Sequence, residues 1–148
     1  MLKLRKNKKG FTLVELIVVI AIMAVLAGTI AGVTVSQLNK QTDKTNENQA
    51  KKVADQIAAL VIGNDITVSD DGKFMYGTEE LDAETLNTTF IDKEFPDLIQ
   101  DDAKKGQFYL EVDNSSDPKL IKVGYKPKTS GADDVVYTVN AEGIVAKG

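Results

Sequence analysis

The chain has 148 residues, 43% of them hydrophobic, a formal net charge of −4, and neither cysteine nor histidine nor tryptophan. Lacking cysteine, it has no disulfides, thiolate nucleophiles or Cys-based metal sites; lacking histidine, it has no imidazole base and is missing the commonest metal ligand. Most enzyme classes are therefore poorly supported and no cofactor is expected, while the length and apolar content suffice for one compact domain.

The charge is laid out in three blocks. Residues 1–10 contribute +5 through Lys3, Arg5, Lys6, Lys8 and Lys9, residues 11–63 sum to zero, and residues 64–148 contribute −9. Basic, neutral and acidic blocks in series suggest three tasks in three environments. From Phe11 to Val35 the only ionisable residue is Glu15. As a helix this run rises about 37 Å, enough to cross a hydrocarbon core of about 30 Å with some tilt. The cationic cluster ahead of it orients the N-terminus toward the cytoplasm and the remainder outward.

Two ordinary readings fit that much. One is a secretory signal peptide cut after Val25-Leu26-Ala27, which starts the mature chain at Gly28; the other is an uncleaved signal anchor. Neither gives Glu15 a purpose. A charge costs up to about 3 kcal/mol at the centre of a spanning helix and less toward its ends, so such a residue usually has a partner.

The stretch Gly10-Phe11-Thr12-Leu13-Val14-Glu15, behind a basic leader and ahead of an apolar run, resembles the signal of type IV prepilins. It joins a basic leader, a glycine closing it, a phenylalanine directly after, and a glutamate at the fifth position of the remaining chain. The resemblance implies that residues 1–10 form a class III signal peptide. A membrane-embedded prepilin peptidase would remove it between Gly10 and Phe11 and also N-methylate Phe11. It further implies that Glu15 of an incoming subunit docks on the terminal amine of Phe11 in a neighbour already in the filament. Gly10, without a Cβ, lets the backbone approach the peptidase closely.

Gly28 and Gly32 form a G-x-x-x-G in the apolar run, a spacing that lets helices pack closely. Type IV pilins often carry a proline near the place of Gly32, and there the filament helix can lose regular hydrogen bonding. This chain has no such proline, so any loosening must rest on Gly28 and Gly32. Residues 36–48 turn polar without Pro or Gly, after which Ala50, Val53, Ala54, Ile57, Leu60 and Val61 recur at helical spacing. The pattern predicts one helix from Phe11 to Ile62, stopped at Gly63-Asn64, with residues 36–63 as its amphipathic continuation.

Residues 64–148 form the head. Ile66-Thr67-Val68 and Lys73-Phe74-Met75-Tyr76 read as short strands across Asp70-Asp71-Gly72, and Thr78 to Leu86 as a helical turn or two with Thr78 as cap. Strands are expected at Gln107–Asp113, Lys119–Tyr125, Val135–Val139 and Ile144–Ala146, separated by turn-rich segments. The result is an α+β fold, a long N-terminal helix packed on a three- to four-stranded antiparallel sheet. Type IV pilins share that plan. Many close the last region with a disulfide, which this chain, like many Gram-positive members, cannot.

The acid pairs Asp70-Asp71, Asp101-Asp102 and Asp133-Asp134 lack calcium-loop spacing and read as solvated turns. Asn87-Thr88-Thr89 and Asn114-Ser115-Ser116 match a short, frequent N-x-[ST] pattern. The −9 of the head opposes nucleic acid, and Lys119, Lys122, Lys126 and Lys128 read as one polar face. The resemblance implies a pilus subunit supporting adhesion, aggregation or surface motility. Its partners would be further copies in a helical filament, the prepilin peptidase and methylase, an assembly platform with its ATPase, and membrane lipid before assembly. The alternatives are a pseudopilin of a type II secretion or competence apparatus and a secreted or anchored binding domain with an ordinary signal sequence.

Overall fold

The structure, a computed structural model, describes residues 10–100 and 103–148. The chain divides into two compact units between Leu38 and Asn39. Helix α1 spans Leu13–Ile62 without interruption.

In the first unit every described side chain is exposed through Leu38. An 18-residue window here has a mean hydropathy of 2.8 with none of it buried, long and apolar enough to cross a membrane. So many bare leucines, isoleucines and valines do not suit water; they call for lipid or other helices. The helix starts at Leu13 rather than Phe11 because Thr12 stands outside it as its cap.

The second unit begins with the rest of α1. Ala50, Val53, Ala54, Ile57, Ala58 and Val61 are buried, the three- and four-residue spacing that puts one face of a helix on a core. The helix ends where Gly63 N donates to Ala59 O and Asp65 N to Leu60 O, at 2.8 and 3.0 Å, with Asn64 left-handed at φ 63°.

Strands β1 (Thr67–Val68), β2 (Phe74–Tyr76) and β3 (Glu79–Glu80) form a small antiparallel sheet in that order. β3 departs from expectation. Gly77, at φ +63°, reverses the chain, so Glu79 and Glu80 pair with Tyr76 and Met75 instead of opening a helix. Helix α2 is confined to Ala83–Leu86, and its cap is Asp82, not Thr78; the Asp82 side chain accepts from Thr85 N at 2.7 Å. A π-helical turn follows over Asn87–Ile91, and Leu86 and Ile91 are fully buried.

The main sheet comprises β4 (Phe108–Asp113), β5 (Leu120–Tyr125), β6 (Val135–Val139) and β7 (Val145–Lys147), antiparallel throughout and in chain order. Its inner face joins the buried stripe of α1 in one core with Phe74, Leu86 and Ile91. This is the α+β fold expected, with the four-stranded sheet at the upper end of the expected range.

Two polar residues tie these elements together. Asn114, 8% exposed, accepts from Phe74 N at 2.8 Å and donates to Phe74 O and Leu81 O, so it joins the end of β4 to the small sheet. Asp43 of α1 accepts from Tyr125 Oη at 2.7 Å, Lys128 N at 2.8 Å, and the backbone and hydroxyl of Thr129 at 3.0 and 2.5 Å. Burial pushes the Asp43 pKa up, but the hydrogen bonds from Thr129, Tyr125 and the Lys128 backbone outweigh it and hold the pKa at about 2.

Candidate processing and assembly site

The residues singled out in the sequence lie together at the start of α1. Nothing lies within 4 Å of the place a Cβ of Gly10 would occupy, and Phe11 is 90% exposed. The Gly10–Phe11 peptide is therefore accessible to an enzyme. Three residues on, the backbone and hydroxyl of Thr12 both donate to Glu15 Oε2, at 2.8 and 3.0 Å, while Glu15 N donates to Thr12 Oγ1 at 3.2 Å. This reciprocal arrangement is a capping box, and it satisfies donors that the first helical turn leaves open. The T-x-x-E spacing that announces it stands in the sequence at Thr12 and Glu15. Both residues lie beyond the Gly10–Phe11 bond, so cleavage there leaves the box whole.

Apart from the helix's own neighbouring backbone, nothing among the described residues lies within 4 Å of a Cβ position at Gly28 or Gly32, and α1 stays α-helical through both. Nearby, Thr29 Oγ1 donates to Leu26 O at 3.0 Å and Thr34 Oγ1 to Ile30 O at 2.8 Å. These bonds keep hydroxyls satisfied within the helix, as an apolar surrounding requires.

In the head, Lys122 is engaged by Glu111 and Asp113, and Lys126 lies 5.6 Å from the centre of the Tyr109 ring. Lys122 and Lys126 thus serve their own sheet. Asn114 has its amide fully committed, which leaves Asn114-Ser115-Ser116 unsuited to modification. Among the described residues no three carboxylates converge as metal ligands would.

Among the described residues one apolar helix, near the N-terminus, is long enough to cross a membrane, and with the motif at its head it supports membrane anchoring as a single-pass precursor. Residues 5–31 match the family model of the prokaryotic N-terminal methylation motif. That match supports a type IV pilin-like prepilin with a class III signal peptide, a structural class processed by prepilin peptidase and assembled into multimers. No curated protein and no solved structure gave a match.

Proposed function

We propose that the chain is the structural subunit of a type IV pilus. The precursor sits in the cytoplasmic membrane with residues 1–10 inside, is cut between Gly10 and Phe11, is N-methylated on Phe11, and is then polymerised. The observation that carries this reading is the methylation motif set directly on the apolar first part of α1, whose side chains through Leu38 are all exposed. Removal of the leader leaves an amine on Phe11, and α-amino groups titrate near ~7.7, so it carries charge at neutral pH. Glu15 of the next subunit supplies the counter-charge. Leaving one member of a buried ion pair alone typically costs about 3–5 kcal/mol, enough to decide whether a subunit joins. The apolar helices, with Gly28 and Gly32 permitting close approach, bundle in the filament interior. The acidic heads face outward and support adhesion, aggregation or surface motility.

The test is the intact mass and N-terminal sequence of the protein isolated from its cells. A start at Phe11 with one added methyl group is the expected result, together with long surface filaments labelled by an antibody to the head. A start at Gly28 would overturn the assignment. A methylated Phe11 with only short, cell-bound assemblies would replace the pilus with a pseudopilin.

A further inference from the structure

At both ends of the four-stranded sheet, some outward backbone groups lack a backbone partner among the described residues. Lys126 N donates to Gln107 O and Gln100 N to Phe108 O, both at 3.0 Å. Backbone groups in an antiparallel strand alternate sides, so Tyr109, Glu111 and Asp113 face β5 while Phe108, Leu110 and Val112 face away. Residues 99–100 cover Phe108. Leu110 and Val112 have no backbone partner on the outer side among the described residues. At the far edge, Gly148 N donates to Val136 O at 2.9 Å and Asn140 N to Ile144 O at 3.2 Å. By the same alternation Val145 and Lys147 of β7 face outward, again without a backbone partner among the described residues.

The two rims are matched in strand polarity and in the spacing of their outward backbone groups. The four strands alternate in direction, so β4 and β7 run oppositely. Two copies in the same orientation, set edge to edge, therefore bring β7 of one antiparallel to β4 of the next. Leu110 then stands opposite Lys147 and Val112 opposite Val145, both as pairs that exchange two hydrogen bonds. Beside the β4 rim lies a cavity of about 530 Å³ lined by Leu81, Ala83, Leu110 and Val112 and by Glu80 and Glu111, which pair with Lys73 and Lys122 of their own chain. The β7 rim carries Lys147, which pairs with Glu47 of its own chain. Open strand edges of this kind are templates for added strands.

We propose that the heads of neighbouring copies join through these rims, β7 of one adding to β4 of the next. The contact uses different surfaces on the two copies, so it propagates instead of closing on itself. It rests on the filament reading and specifies which part of the head neighbours use.

In the proposed register Glu111 of one copy stands opposite Ala146 of the next as a non-hydrogen-bonded pair, where Cα atoms come within about 4.5 Å, inside disulfide range. The chain has no cysteine of its own. Full-length chain carrying Glu111→Cys and Ala146→Cys, expressed in its cells and oxidised after assembly, should give a ladder of disulfide-linked multimers on a non-reducing gel. We expect at least tenfold more ladder than from either single-cysteine chain. Adding Val112→Pro removes an outward N–H at an edge strand, where proline is tolerated, and should abolish the ladder with secondary structure retained. If filaments form and the double-cysteine chain inside them stays monomeric on the gel, the edge pairing is wrong and the filament reading stands. If the unmodified chain forms no multimer, the filament reading fails and takes this contact with it.

Discussion

Asp43 gives the sharpest test of what holds the head together. Its carboxylate gathers four donors from β5 and the loop after it. Alanine at this position leaves Lys128 N, Thr129 N and both hydroxyls without their acceptor. The depression of the Asp43 pKa from the ordinary 3.8 to about 2 corresponds to at most ~2.5 kcal/mol at about 1.4 kcal/mol per unit. The residue is partly exposed, and solvent screening brings the charge contribution to about 1–2 kcal/mol. Loss of the hydrogen bonds themselves adds about 1 kcal/mol, so Asp43→Ala should cost about 2–3 kcal/mol and Asp43→Asn about 1–2 kcal/mol. The pH dependence has a definite sign. The folded pKa lies below the unfolded one, so the contribution is complete above about pH 5 and fades as pH falls toward 2. Urea unfolding of the detergent-solubilised chain, followed by tyrosine emission, is convenient because there is no tryptophan to mask it. The gap between wild type and Asp43→Asn should narrow steadily from pH 5 to pH 2. A gap below about 0.5 kcal/mol at pH 7, or one that does not change with pH, would refute the clamp.

Three further outcomes are expected. Asn114→Leu strands Phe74 N and Leu81 O in a buried place, while Phe74 O keeps its bond from Leu81 N, and should destabilise the chain by about 3 kcal/mol, with faster hydrogen exchange at Phe74; unchanged exchange there would show that the small sheet does not depend on Asn114. At Gly143, φ is +73° and an added Cβ would come 2.6 Å from Ile62 Cγ1. Gly143→Ala should therefore cost about 2 kcal/mol, and adding Ile62→Ala should return only the steric part, because the backbone strain of about 1 kcal/mol persists; full recovery in the melting curve would contradict this. Glu15→Gln keeps a side chain able to cap Thr12 while removing the charge, so processing should proceed and filament yield should fall at least tenfold; wild-type yield would defeat the docking account.

Much of the architecture was legible because it rests on periodicity. The apolar run and the stripe from Ala50 to Val61 mark α1 to its last residue, and turn-rich separators bracket the strands of the main sheet to within one residue of where they lie. What escaped was governed by groups without a pattern. Glu79 and Glu80 carry no apolar alternation, and only the left-handed turn at Gly77 pairs them with β2. The π-helical turn depends on hydrogen-bond register, which side-chain order does not encode. Asp43 sits in the polar stretch Thr42–Thr45 and reads as solvated, and Asn114 heads a turn-like Asn-Ser-Ser; both are shaped by partners far away in the chain. At the candidate processing site the glycine, phenylalanine and glutamate were visible together, whereas the role of Thr12 as the acid's local partner emerged only from geometry.

The capping box has a consequence for timing. Both Thr12 donors converge on one oxygen of Glu15, and the other, Oε1, has no hydrogen-bond partner among the described residues. The side chain is therefore splinted in one rotamer before any neighbour arrives. Immobilising a glutamate side chain costs up to ~2 kcal/mol of rotamer entropy. On the proposed docking of subunits, that cost falls on the folding of the helix end and not on the encounter. In the proposed filament Thr12 and Glu15 would thus form a preset contact, with one oxygen tied inward and its twin left open.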